Sequence, residues 1–165
     1  MTLEIFVPGR LQNTANGSLS HAHWTARSSY AKWWRYEVAG RVRLAMKRAG
    51  WTVAPEMPKH IKLVALVSNR LDKAGLASAL KPVEDGLQTE RIQMVRGVPR
   101  LLPGAGIIDD DGPRHPHVIT HDQEIARPHK QDPKARCSPT IDPRGVRITI
   151  SLPQDLTSGS ASTSG

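Results

Sequence analysis

Residues 60–87 read HIKLVALVSNRLDKAGLASALKPVEDGL. The first eight, His60 to Val67, form a continuous, β-branched apolar run, which predicts a strand in the middle of a sheet. Ser68-Asn69-Arg70 breaks that run, and the apolar period then changes. Leu76, Ala79, Leu80, Val83 and Leu87 recur at helical spacing, so a second element, a helix, is expected within about Asp72 to Leu87. Pro82 falls inside it and should kink the helix or divide it into two short pieces. A strand that hands over directly to an amphipathic helix places the chain in the α/β (α+β) class.

Upstream, Leu3 to Val7 alternates and predicts a short strand closed by Pro8-Gly9. LQNTANGSLSHAH reads as loop, and a long helix should run from about Ala26 to Ala49, closed by Gly50. Its apolar stripe is Ala31, Trp34, Val38, Val42, Ala45 and Ala49. Half a turn away lie Lys32, Tyr36, Arg43 and Lys47, and Glu37 is the sole acid of that span. One face is therefore core and the other a basic, phosphate-contacting face, with Arg35 and Arg41 at its edges.

Downstream, residues 88–105 read as an inserted loop or hairpin, punctuated by Pro99, Pro103 and Gly104. His117 to Ile125 is expected as a strand and Val146 to Leu152 as a closing strand. Residues 127–143 are rich in Pro, Lys and Arg and read as irregular. Residues 153–165, ending TSGSASTSG, form a low-complexity tail. The expected organisation is one domain, 1–152, followed by that tail.

The 165 residues carry a formal charge of +8 and a pI near 10.2. Such a balance favours polyanions, above all nucleic acid. No apolar run is long enough to span a membrane, and no strongly apolar amphipathic helix accompanies the charge. The N-terminus lacks a signal-peptide pattern. Cys137 is the only cysteine, so no internal disulfide can form. A cytoplasmic location is expected.

Against this basic background stand three adjacent carboxylates, Asp109, Asp110 and Asp111, in GIIDDDGPRH. Asp-Asp-Gly is ordinary turn chemistry. An acidic cluster in a basic surface is also what metal-assisted phosphodiester cleavage needs. Hard cations such as Mg²⁺ take carboxylate oxygens, and the basic surface holds the nucleic-acid backbone. Opposite the core stripe of the second helix lie Ala74, Ser78, Lys81 and Asp85, and Lys81 and Asp85 can pair at i,i+4. Asp72 stands at the entrance of that helix, where an acid also serves as N-cap.

These residues carry a resemblance. Asp72, Leu76, Ala79, Leu80, Lys81, Pro82, Asp85, Gly86 and Leu87, followed by Gly106, Ile107, Ile108, Asp110 and Asp111, resemble the motifs of the RusA-like Holliday junction resolvases, common in phages and prophages. The upstream HAHWTARSSYAKWWR is similar to that family's His-Trp and basic-helix region. The resemblance implies a homodimer of a small mixed sheet with two main helices. It implies an Mg²⁺-dependent endonuclease that cuts four-way DNA junctions in recombination and repair. By position it makes Asp72, Asp110 and Asp111 metal ligands and Lys81 the active-site lysine, with DNA contacts from Lys32, Arg35, Arg41, Arg43 and Lys47. The chain departs from the family at the helix entrance, where Asp-x-Asp-Asn is replaced by Asp72-Lys73-Ala74-Gly75. One expected ligand is therefore missing, which motivates the alternative of a catalytically weak or inactive junction-binding protein.

Two further readings stay open at this level. His115, His117 and His121 alternate and would share one strand face, and Cys137 could add a thiolate to a zinc site. Trp24, Trp33, Trp34 and Trp51 could stack on bases. Trp34 lies on the core stripe, whereas Trp33 is off it, suited to a dimer contact or to DNA.

Overall fold

The computed structural model describes residues 2–13, 23–109, 117–126 and 143–153. Among them the chain forms β1 (Thr2–Pro8), α1 (Trp24–Ala49), β2 (Lys59–Val67), α2 (Lys73–Leu87), β3 (Arg91–Val95), β4 (Val98–Leu102), β5 (His117–Ile125) and β6 (Gly145–Ser151). Four strands make a mixed sheet in the order β1-β6-β2-β5, and β3-β4 is a separate hairpin. The expected α+β architecture of a small mixed sheet and two helices is the one observed.

β2 has a strand on either side. It pairs in parallel with β5 and antiparallel with β6. Its central position follows from its composition, since Ile61, Leu63, Ala65 and Val67 enter the core and Val64 is buried as well. A parallel neighbour requires a crossover, and α2 supplies it. The hairpin is inserted between α2 and β5. α2 therefore runs back along the sheet, antiparallel to β2. Its start lies near the Val67 and Ile125 ends of β2 and β5, where the Leu71 backbone exchanges two hydrogen bonds with the Gln123 side chain, at 2.9 and 2.8 Å. Its foot lies near the Lys59 and His117 ends.

α1 begins two residues earlier than the periodicity suggests, because His23 caps it through a side-chain contact with the Thr25 amide. Gly50 ends it in the left-handed conformation, φ 61°, where glycine carries no steric cost. Trp34, Val38 and Val42 are fully buried, as the stripe requires, while Ala49 is exposed. α2 also matches its stripe, since Leu76, Ala79, Leu80, Val83 and Leu87 are all buried. The expected break at Pro82 does not occur, and the helix runs unbroken from Lys73 to Leu87. A proline removes one intrahelical hydrogen bond. Here buried Leu80 and Val83 hold the backbone on both sides of it. The helices cross closely at Gly86, where a Cβ would come within 2.8 Å of the Val38 Cβ.

The segment after the hairpin is latched to the foot of α2. The Ala105 amide donates to the Gly86 carbonyl at 2.9 Å, and Ile107 to Leu87 at 2.9 Å. Ile108 then forms a parallel bridge with Gln88. A Cβ on Gly104 would collide with the Gln88 carbonyl. Lys59, at the start of β2, closes the same corner. Its ammonium is buried, at 2% exposure, and donates to the carbonyls of Ala54, Pro55 and Ile107 at 3.0, 2.7 and 2.8 Å. Burial pushes its pKa below the usual lysine range, opposed by Glu56 and Asp109.

Candidate nucleic-acid interface and the placement of the carboxylates

α2 separates the two acidic groups singled out in the sequence. Asp72 is its N-cap, and Asp72 Oδ1 accepts from the Gly75 amide at 2.6 Å. Asp109 lies beyond the opposite end, one residue past the Gln88–Ile108 bridge, where its Oδ1 accepts from the Thr89 hydroxyl at 2.9 Å. The intervening helix of 15 residues is about 22 Å long. Asp110 and Asp111 lie outside the described residues. Among the described residues no group of three or more His, Cys, Asp or Glu side chains could hold a metal ion. Asp72 and Asp109 of one chain therefore do not fit a shared Mg²⁺. The asparagine variant Asp72→Asn keeps the cap, because Asn caps as well as Asp. Its unfolding free energy in urea should lie within about 0.5 kcal/mol of wild type, whereas Asp72→Ala should lose about 1 kcal/mol.

Lys81 stands exposed on the outer face of α2, 3.7 Å from Glu84 and 3.6 Å from Asp85. The Lys81–Asp85 pair expected from i,i+4 spacing is thus formed. Glu84 is buried and meets the His121 ring at 2.6 Å. Asp85 lies 4.0 Å from the guanidinium of Arg35. His121 is therefore engaged with a carboxylate on α2. His115 and Cys137, the other members of the imagined zinc set, lie outside the described residues, and His117 begins β5.

The cations of α1 divide into three groups. Lys32 and Lys47 are exposed as expected, and Lys32 sits over the Tyr36 ring at 5.8 Å. Arg41 and Arg43 are exposed, but each faces an acid. Arg41 pairs with Glu37 at 3.0 Å and Arg43 with Glu90 at 2.7 Å. Arg35 differs from the edge contact expected of it, being 7% exposed. It donates to the Pro103 carbonyl at 2.8 Å and so ties α1 to the base of the hairpin. Burial lowers its pKa, opposed by Asp85 and reinforced by Arg91. Half a turn separates a position on the basic face from one beneath the hairpin, and the α1 periodicity alone gives no sign of a hairpin above it.

The hairpin contributes cations that the sequence reading passed over. β3 and β4 meet at a two-residue turn, Arg96-Gly97, with both φ angles positive, 51° and 78°. That is the hairpin turn geometry in which Asn and Gly are preferred. The register pairs Arg91 with Leu102 and Gln93 with Arg100, which puts Arg91 and Arg100 on one face. Part of this was legible: a glycine after Val95-Arg96, between two short apolar runs, fits a hairpin turn, but Arg91, Arg96 and Arg100 lie five and four residues apart and no sequence period gathers them. Between this face and the N-terminal half of α1 opens a cleft of about 1130 Å³. Among the described residues Lys32, Arg35, Arg91, Arg96 and Arg100 line it, with Asp85 as the one carboxylate. Trp24 and Tyr36 line it as well, 63% and 50% exposed.

The other tryptophans divide as their positions on α1 suggest. Trp34 and Trp51 are core. Trp33 is half-exposed and packs edge-on against Trp34, with ring centroids 5.0 Å apart.

Comparison with protein-family models, with curated proteins and with solved structures finds no match to this chain. The likeness to the RusA-like resolvases therefore stands on its motif residues. No helix among the described residues is long and apolar enough to cross a membrane.

Proposed function

We propose that the protein binds branched DNA of the four-way-junction kind, along the outer face of α1 and the edge of the adjoining cleft. The observation that carries this reading is the charge of α1. Its 26 residues include seven Lys and Arg and one acid. The apolar stripe is spent on the core, and most of the cations face outward. The helix is about 39 Å long, comparable to the roughly 34–36 Å of one duplex turn. A rod of this kind contacts phosphates and reads shape and backbone, without base edges. The net charge of the whole chain, +8, of which α1 supplies most, adds long-range attraction.

Binding of this type releases counterions, so log Kd should rise steeply with log salt, by about 0.9 for each phosphate contact. Lys47→Ala should flatten that slope by about 0.9 and weaken every DNA substrate to a similar degree. Titration of a labelled junction at several salt concentrations checks both. An unchanged slope would remove Lys47 from the interface.

Cleavage is the second reading. It is favoured by the Lys81 face of α2, which presents a lysine between two carboxylates on the helix whose foot anchors Asp109, the first of the aspartate run. Asp72 and Asp109 would share an Mg²⁺ only if a second copy of the chain brought them together, because one chain holds them at opposite ends of α2. Incubation of a synthetic four-way junction with Mg²⁺ separates the two readings. Symmetric cutting that is lost in Asp111→Asn and in Asp72→Asn supports a dimeric resolvase. Tight, salt-sensitive binding with no product in Mg²⁺ or Mn²⁺ supports the binding role. In that case Ala74→Asp with Gly75→Asn should introduce cutting if the helix entrance is what limits it.

A further inference from the structure

We propose that the cleft between α1 and the β3–β4 hairpin is a seat for an unpaired nucleic-acid strand, a proposal that rests on the branched-DNA reading and names the part of the substrate this cleft takes. Three observations converge on it. The first is charge. Among the described residues five cationic side chains and one carboxylate line the cleft. Arg91 lies near enough to Arg35 to lower its proton affinity. Like charges gathered around one concavity are tolerated best when an anion balances them.

The second is the pair of aromatic rings. Trp24 and Tyr36 are the two most exposed aromatic side chains among the described residues, and both edge the cleft. A duplex keeps its bases stacked inward and offers a protein only groove edges and phosphates. Rings set among cations can stack only on bases that have left the helix. The helical positions 32 and 36 stand one turn apart, and the Lys32 ammonium sits over one face of the Tyr36 ring. A base that stacks on the ring brings its own phosphate within reach of that ammonium.

The third is the hairpin tip. Arg96 holds φ at 51°, at a cost of ~1 kcal/mol that Asn or Gly would not incur. The turn thus carries its charge at a position where the backbone favours an uncharged residue. With Arg100 and Arg91 further down the same face, the tip completes a row of guanidinium groups along the open side of the cleft. Branched DNA supplies the matching ligand, because the bases at a strand exchange point are the ones least held by stacking.

The test uses the full chain and three labelled probes: an oligothymidylate of about 12 nucleotides, a duplex of the same length, and a four-way junction. The wild-type protein should bind the oligothymidylate more tightly than the duplex and lose tryptophan fluorescence on binding. Trp24→Ala and Tyr36→Ala should each weaken the oligothymidylate by about fivefold or more. Arg96→Glu combined with Arg100→Glu should weaken it by more than about tenfold and flatten its salt dependence by about 0.7 per contact. All four side chains are exposed, so circular dichroism should match wild type. The Arg96/Arg100 variant should lose several-fold more affinity for the oligothymidylate than for the duplex, whose main contacts are the α1 cations outside the cleft.

The proposal is overturned if the duplex competes as well as the oligothymidylate, or if the charge reversals leave oligothymidylate binding unchanged. It is also overturned if polyglutamate of equal charge displaces the strand equally well, which would make the cleft a seat for acidic protein. Tight junction binding with an indifferent Arg96/Arg100 variant sinks the cleft alone. Oligothymidylate binding as described, with a junction bound no better than linear duplex, upholds the cleft and sinks the branched-DNA reading.

Discussion

Trp34→Ala is expected to lower the unfolding free energy by about 3–5 kcal/mol, the largest loss of any single truncation in α1. Trp34 is fully buried and packs edge-on against Trp33 and Tyr30. It lies where α1 meets the sheet, so no solvent-side movement can fill the space left by the indole. The cost adds the lost transfer free energy of the ring to that of the cavity it leaves. Typical domains have only about 5–15 kcal/mol in total, so the variant should be partly unfolded at 37 °C. Urea denaturation followed by circular dichroism measures the loss. Trp24→Ala, an exposed residue of the same helix, serves as the comparison and should change stability by less than about 0.5 kcal/mol. A loss under about 1.5 kcal/mol for Trp34→Ala would mean that Trp34 is not buried as described.

The second large effect belongs to Lys59→Met. Three carbonyls, that of Ile107 buried and those of Ala54 and Pro55 part-buried, converge on one ammonium. Methionine fills the space but donates nothing, and each carbonyl left unsatisfied costs about 1–3 kcal/mol. Relief from burying a charge offsets part of that, which leaves an expected loss of about 3 kcal/mol. The Ile107 carbonyl is part of the latch that holds residues 105–109 at the foot of α2. The variant should therefore also increase proteolysis after the hairpin.

The pH dependence of Lys59 has a definite sign. Burial lowers the native pKa below the unfolded value. Between the two values the unfolded chain binds more protons, so this residue's contribution to stability rises with pH towards the ordinary lysine value near ~10.4. The gap between wild type and Lys59→Met in urea should widen from pH 7 to pH 10. A gap that narrows would contradict the buried ammonium.

Periodicity carried the parts of the fold that depend on one-dimensional patterning. The β-branched run at residues 60–67 became the strand with neighbours on both sides, and the Leu76–Leu87 stripe became the buried face of α2. Trp34 was legible as core for the same reason. The division expected at Pro82 was misjudged because a helix with packed side chains on both sides of a proline tolerates one missing hydrogen bond. Lys59 and Arg35 were illegible because a charge is buried only where several acceptors converge. Those acceptors come from residues 54, 55 and 107 for Lys59, and from residues 85 and 103 for Arg35. No local window contains such a set. The acidic residues show the same limit. Asp72 and Asp109 stand close to one motif in the sequence, but the chain direction of α2 sets these two a helix length apart. The cleft is the reverse case. Its cations were visible in the hairpin sequence, yet only the fold of the hairpin over α1 makes them a single surface.

The most direct test of the account compares a four-way junction with a linear duplex of equal length and sequence, bound by the full chain in gel-shift titrations without Mg²⁺ at low and moderate salt. The junction should bind at least about tenfold more tightly, with affinity falling steeply as salt is raised. Equal affinity for the two DNAs, or binding to neither at low salt, would contradict it.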